Sequence, residues 1–367
     1  MLRPSVFDLT PDSFAELGSA RGLPAYLGKQ VLEWVYQKGV VDPAAMTNLS
    51  KENRTKLVDL IDFEQGSVIT KQVASDGTLK LLVGWPDAGR DSARDVGLAL
   101  PIAGAPIIPS SRQTECVMIP NPERRTACIS SQIGCPVGCA FCASGLGGLD
   151  GNLSTGRIVE QVWKLAQLPD VGRVSHVVFM GMGEPLANFA NVLDAIRAIQ
   201  APWGMGISAR RITISTVGLP AAIKKLCDFE LPVTLALSLH APNDELRRKI
   251  IPWAEYATIE ELLDACHEWF EKTGREITLE YIMLGGFNDQ PEHARELVKV
   301  AKSIRANVNL IRYNEVKGLP FSRPSTDDVL LFQEILRDKG VNVHIRSSRG
   351  RDIAAACGQL RHEKSRA

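Results

Sequence analysis

ITLEYIMLGGFNDQPEHARELVKVAKSIRANVNLIRYN, residues 277–314, holds an apolar, β-branched run, a helical pattern with Pro291 near its start, and a second apolar run. Proline is at home in the first turn of a helix, and strand, helix, strand in this order is the unit of a parallel sheet. Units of the same kind extend in both directions from residue 125 onward. The runs TACISSQ, HVVFMG, RITIST, VTLALSLH, ITLEYIML, VNLIRYN and VNVHIRS recur. Helical patterns separate most of them, among them GRIVEQVWKLAQL after Thr155 and TDDVLLFQEILRDKG, capped by Ser325 or Thr326 and closed by Gly340. Alternation repeated about six times predicts an α/β fold with a parallel sheet, open or curled into a barrel. No internal repeat of fixed period and no low-complexity tract interrupts it.

Outward from this core, residues 1–75 read as a small helical accessory domain. Leu27, Val31, Trp34 and Val35 form an apolar stripe ended by Gly39, and Ser50 is an N-cap candidate. Up to Asp62 this segment has seven Lys/Arg against eight Asp/Glu, so it is not basic. Residues 76–124 read as a β-hairpin-like connector (TLKLLVGW, then TECVMIP) interrupted at about 88–112 by a Gly- and Pro-rich apolar insertion. The core proper runs over 125–357, and 358–367 form a basic tail; from His344 to Ala367 six Lys/Arg stand against Asp352 and Glu363.

Composition narrows the function. Among 367 residues, 42 basic side chains balance 42 acidic ones, which argues against a protein that simply coats nucleic acid. The N-terminus lacks the apolar region of a secretory signal, and the longest apolar run, residues 96–109, is broken by three prolines, so no membrane segment is expected. Eight cysteines without an export signal point to a reducing, cytoplasmic setting in which thiols serve as ligands, nucleophiles or packing.

Chemistry gathers where the fold expects it. In parallel α/β architectures ligands bind at the C-terminal ends of strands. The loop GCPVGCAFCASGLGG, residues 134–148, follows the first strand and carries Cys135, Cys139 and Cys142 as C-x3-C-x2-C. Thiolate-held metals usually have four ligands, yet no fourth cysteine or histidine lies within the next thirty residues. Gly183 and Glu184 follow the second strand, Ser215 ends the third, Ser238, Leu239 and His240 end the fourth, and Asn314 ends the sixth. Glu115 shares a strand face with Val117 and Ile119. A carboxylate so placed suits a general base, the alternative being an edge-strand residue that reaches water. Cys116, Cys227 and Cys266 read as packing thiols. Cys128, seven residues before the loop, and Cys357, after the arginine-rich HIRSSRGRD, read as reactive candidates.

C-x3-C-x2-C with GMGEP downstream resembles the radical S-adenosylmethionine (SAM) enzymes. More closely, TECVMIP through GGLDGNLS, SHVVFMGMGEPLAN, RITISTVG, LALSLHAPND and RGRDIAAACGQL resemble the RlmN family of rRNA adenine C2-methyltransferases, and RGLPAYLGKQVLEWVYQKGV fits that family's accessory domain. One departure is Gly151, where an arginine is usual before Asn152. The resemblance implies an open (β/α)6 partial barrel and a [4Fe–4S] cluster on Cys135, Cys139 and Cys142, whose fourth iron position is taken by SAM. It implies SAM contacts from Gly183, Glu184, Ser215, Ser238, Leu239, His240 and Asn314. It further implies that Cys357 is S-methylated by one of two SAM molecules per turnover, that a 5′-deoxyadenosyl radical activates that methyl group, that Glu115 accepts the C2 proton, and that Cys128 resolves the adduct as a disulfide with Cys357. The implied partners are 23S rRNA, in some members also tRNA, and an external flavodoxin-like electron donor. Three readings compete: a C8-adenine rRNA methyltransferase of the resistance type, an RNA-binding protein with structural zinc on the three cysteines plus His240 or His176, and a plain electron-transfer iron–sulfur protein, which gives Cys357 no role.

Overall fold

The computed structural model describes residues 3–86, 112–169 and 171–360. The N-terminal unit contains α1 (Pro11–Ser19), α2 (Leu27–Tyr36) and α3 (Lys51–Leu60). Thr10 and Ser13 cap α1 reciprocally, and the Ser50 hydroxyl accepts the Asn53 N–H at 3.2 Å to start α3. Leu27, Val31 and Val35 of the expected stripe are buried, while Trp34 is half-buried.

Twelve strands follow: β1 (Ser67–Val73), β2 (Leu79–Gly84), β3 (Gln113–Asn121), β4 (Arg124–Cys128), β5 (Gln132–Gly134), β6 (Leu149–Asn152), β7 (His176–Phe179), β8 (Ile212–Thr216), β9 (Thr234–Ser238), β10 (Ile277–Met283), β11 (Ala306–Arg312) and β12 (Val343–Arg346). Ten of them form one sheet in the order β1-β2-β3-β4-β7-β8-β9-β10-β11-β12. From β4 to β12 every neighbour is parallel, and β3, β2 and β1 extend the sheet antiparallel. The crossovers use α4 (Thr155–Ala166), α5 (Phe189–Gln200), α6 (Pro220–Leu226), α7 (Asp244–Ile250), α8 (Ile259–Thr273), α9 (Pro291–Ser303) and α10 (Thr326–Asp338). Six β/α units and a closing strand make the parallel array that the alternation predicts and the open partial barrel that the resemblance implies, with Ser325 as the cap of α10.

Two boundaries differ from the sequence reading. The helical unit ends near residue 61, and SVITKQV is a strand within the stretch taken as helical to residue 75; its β-branched residues pair in antiparallel register with β2. The connector is thus part of the sheet. The insertion at 88–112 falls almost wholly outside the described residues, as does the tail beyond Leu360.

Side chains alternate between two environments along each parallel strand. Leu279, Tyr281 and Met283 of β10, Ile212 and Ile214 of β8, and Leu235 and Leu237 of β9 enter the large core shared with the helices. Ser215, Ser238, Glu280 and Ile282, one residue out of phase, line a cavity on the other face. Cys227 and Cys266 sit in the core as expected, and so does Cys116. No helix among the described residues is long and apolar enough to cross a membrane.

The helical unit docks on α4, whose residues 156–165 are all buried. The Trp163 indole donates to the Val35 carbonyl at 2.8 Å, and Phe7 lies 5.6 Å from its ring. Fully buried Glu160 accepts the Gly66 N–H at 2.8 Å and faces Lys164 at 3.3 Å, which also reaches Glu64 at 2.5 Å. Burial pushes the Glu160 carboxyl up to about 7 despite these partners. Between about 4.5 and 7 the folded state therefore holds more proton than the unfolded one, so this group's contribution to stability falls as pH rises. In Glu160→Gln that dependence is gone. The unfolding free energy of the wild type minus that of the variant should decline by on the order of 2 kcal/mol between pH 5 and pH 8 in urea titrations. A difference that stays level across this range contradicts the assignment.

Candidate active site

The cysteine loop is closed at its base by β5 and β6, which pair antiparallel. The Cys135 N–H donates to the Gly148 carbonyl at 3.0 Å, and the Ala140 N–H reaches the Ile250 carbonyl at 2.9 Å. Gly183 has φ 97°, and a Cβ there would lie 2.6 Å from that of Gln132; only glycine lets the GMGEP turn press against β5. Gln132 accepts the Glu184 N–H at 2.8 Å, tying that turn to the loop.

Nine sequence-predicted residues line one cavity of about 810 Å³, its open mouth included: Cys135, Cys139, Cys142, Gly183, Glu184, Ser215, Ser238, His240 and Cys357. All three loop thiols are free. Burial and then the Cys142 sulfur beside it push Cys135 up to about 12; Cys139 is raised by burial with both neighbours pressing on it, and Cys142 by burial. The three half-buried thiols face one cavity, with the Arg247 guanidinium close enough to act on Cys139. Among the described residues no three His, Cys, Asp or Glu side chains gather tightly enough for a single ion. Three cysteine thiols on one loop are the ligand type that an iron–sulfur cluster takes. His176 stands at the N-terminal start of β7, the opposite end of the strand from the cavity, and bonds Ser175 at 2.9 Å.

The polar wall is built by backbone donors. Glu184 is buried and accepts the Val217 N–H at 2.9 Å and the Leu186 N–H at 3.0 Å, yet burial still pushes its carboxyl up to about 7. His240 is held at φ 59° by Asn288, which donates to the His240 and Ile282 carbonyls at 2.8 and 2.7 Å. The Ile282 N–H donates to His240 Nδ1 at 3.1 Å, which assigns the proton to Nε2. Burial, with Arg247 nearby, lowers the imidazole to about 3, so it is neutral at working pH. Buried Arg247 bonds the Leu239 carbonyl at 3.1 Å and also the Val217 carbonyl, bracing two strand ends.

The remaining candidates separate. Leu239 is fully buried in the core and meets the site only through its backbone, which donates to the Glu280 carbonyl at 3.1 Å. Asn314, Cys128 and Cys357 share an adjoining cavity with Arg346. Burial, with Cys357 beside it, pushes Cys128 up to about 12, and the same Cys357 raises the Arg346 guanidinium. Glu115 is not an edge residue: β3 lies between β2 and β4, and the carboxylate, in place of a purely apolar setting, meets Lys80 Nζ at 2.7 Å. It lines a third cleft with Ala354 and Gln359.

Sequence reasoning missed Lys80, Arg247 and Glu280. Glu280 is buried at mid-strand; Asn309 donates to its Oε1 at 3.1 Å, and Oε2 lies 3.9 Å from Arg346. A lone Glu within ITLEYIM was its only sequence signal.

Two hydrogen bonds join the cysteine loop to the segment carrying Cys357. The Ala143 N–H donates to the Gly358 carbonyl at 2.8 Å, and the Ser144 hydroxyl donates to the Leu360 carbonyl at 2.7 Å.

Comparison with known proteins agrees with this geometry. The radical SAM superfamily model matches residues 129–298, and the one described as "Ribosomal RNA large subunit methyltransferase N-terminal domain" matches residues 5–62. A protein of Rhodopirellula baltica named "Probable dual-specificity RNA methyltransferase RlmN" is 42% identical, covering 94% of this chain and 87% of its own length. One of Trichormus variabilis with the same name is 43% identical over 94% and 90%. The crystal structure of a radical SAM methyltransferase from Sphaerobacter thermophilus superposes with a TM-score of 0.89 at 37% identity, over 98% of this chain and 100% of that one.

Removing the Ser144 hydroxyl should loosen the Cys357 segment by about 1 kcal/mol. In Ser144→Ala, amide exchange over residues 355–360 should speed up by roughly fivefold while the sheet stays protected. Unchanged exchange there denies the hydroxyl a holding role.

Proposed function

Because this chain belongs to the RlmN family of radical SAM RNA methyltransferases, we propose that it methylates C2 of an adenine in the peptidyl-transferase region of 23S rRNA, and the adenine next to the anticodon in tRNA. The relatives' name, with its two RNA specificities, supports the substrate class. One observation carries the reaction: Cys357 lines both the cavity of the three cysteines and the adjoining one that holds Cys128. A plain iron–sulfur electron carrier gives such a thiol no task.

The cofactors of the family are a [4Fe–4S] cluster and SAM, for which Cys135, Cys139 and Cys142 and the wall of Glu184, Ser215, Ser238 and His240 are the fitting residues. When bound, they supply a methyl cation equivalent, an electron and a hydrogen-abstracting carbon radical. The ring carbon C2 is electron-poor and not a nucleophile, so the methyl group needs a protein carrier, and Cys357 is the thiol beside the cavity. Arg346 lines both of the cavities beside it. The neutral His240 offers Nε2–H as a fixed donor, which costs no reorganisation during reaction. Glu115, lining the cleft beside the segment that carries Cys357, takes the C2 proton. Cys128 then attacks the Cys357 sulfur: the S–S bond forms, the S–CH2 bond to the base breaks, and the released carbon takes a proton to become the methyl group. The disulfide must be reduced by an external thiol before the next cycle.

Anaerobic incubation of cluster-reconstituted protein with SAM, a reductant and a 23S rRNA fragment should yield 2-methyladenosine by nucleoside mass spectrometry. 8-Methyladenosine makes it the resistance-type enzyme instead, and no methylated adenosine from rRNA or tRNA defeats the reading. In the same assay Cys135→Ala should lose its iron, whereas Cys357→Ala should keep iron and lose methyl transfer. Wild-type turnover by Cys357→Ala contradicts the carrier role.

A further inference from the structure

The antiparallel register pairs Leu82 with Glu115 and Lys80 with Val117. Lys80 and Glu115 are therefore diagonal neighbours on one face of the sheet, the separation a long side chain spans. The Lys80 ammonium lies 2.7 Å from Glu115 Oε1 and donates to the Ala354 carbonyl at 3.2 Å. Lys80 is 7% exposed and Glu115 8%. Ala354, three residues before Cys357, holds φ 49°, a left-handed conformation that a residue with a Cβ keeps only when its surroundings enforce it.

The hairpin turn just before Lys80 grips the same segment. The Asp76 carboxylate accepts the Gly350 N–H at 3.0 Å, and the Ser75 N–H donates to Asp352 at 2.8 Å. A Cβ on Gly350 would come within 2.9 Å of Thr78 Cγ2, so the Thr78 side chain packs directly on the Gly350 backbone. Residues 75–80 and 349–354 thus form one clasp, and its Lys80 also pairs with the carboxylate of Glu115.

We propose that Lys80 is a positioning residue: by binding Glu115 and the Ala354 carbonyl with one ammonium, it sets the carboxylate against the adenine C2 only when the Cys357 segment is seated. This rests on the reading that Cys357 carries the methyl group and Glu115 accepts the proton. In that step the C2–H bond breaks, its proton passes to the Glu115 carboxylate, and its electron pair stays with the ring. Loading of Cys357 precedes this and does not involve Glu115, so Lys80 should matter late and not early.

The test uses full-length, cluster-reconstituted Lys80→Met and Lys80→Arg beside the wild type and Glu115→Gln. Peptide mass spectrometry reads S-methylation of Cys357, a denaturing gel reads RNA-linked protein, and nucleoside analysis reads product. Lys80→Met should load Cys357 as the wild type does, accumulate RNA-linked protein as Glu115→Gln does, and form product about 10- to 100-fold more slowly, the scale of a misplacement near 1 Å. Lys80→Arg should recover part of the rate. The double variant Lys80→Met/Glu115→Gln should be no slower than Glu115→Gln alone. Product at the wild-type rate in Lys80→Met overturns the proposal. Loss of Cys357 methylation in both Lys80 variants also overturns it, since the lysine then serves only to fold the segment. A wild type that makes no methyladenosine in this assay overturns the functional reading itself.

Discussion

The two hydrogen bonds from Ala143 and Ser144 to the carbonyls of Gly358 and Leu360 set the separation on which the rest of the site depends. They hold a segment with little regular structure against a loop that is itself fixed by β5, β6 and the GMGEP turn. Everything downstream inherits that separation: which cavity wall Cys357 occupies, how near Cys128 comes, and where Arg346 sits. The sheet supplies rigidity, but it does not reach Cys357 directly. Short polar contacts carry its positional precision across the last few residues.

Electrostatics in the cavity follow one logic. Burial acts against charge on Glu184, His240 and the cysteines, and backbone N–H groups, not ions, satisfy the polar atoms. A wall of fixed dipoles around an apolar-backed cavity retains its orientation whatever the substrate brings, whereas flexible charges would have to reorganise. Arg346 lines both the main cavity and the adjoining one, and Lys80 and Glu115 line the third cleft.

Much of this was legible in the sequence because buried parallel strands leave an unambiguous trace. All seven apolar runs from TACISSQ to VNVHIRS became strands of the parallel array, and their small or polar C-terminal residues became cavity lining. SVITKQV was harder to read. It is an exposed edge strand, so its pattern carries no burial signal, and it follows three helices. Leu239 belongs to the strand end through its backbone, while its side chain faces the core. Lys80 and Arg247 were invisible because their meaning lies in partners far along the chain. Ala354 is 274 residues from Lys80, and the carbonyls Arg247 braces come from two other strand ends. Sequence pattern reports periodicity over a turn or two; it does not report such pairings.

The reach of those pairings has a consequence for how the protein comes into being. Each β/α unit closes over a few tens of residues, but Ser144 meets Leu360 across 216 and Ser75 meets Asp352 across 277. Long closures are slow and come after local ones. Docking of the Cys357 segment therefore belongs late in assembly, so the cavity wall that carries this thiol is completed after the sheet that frames it.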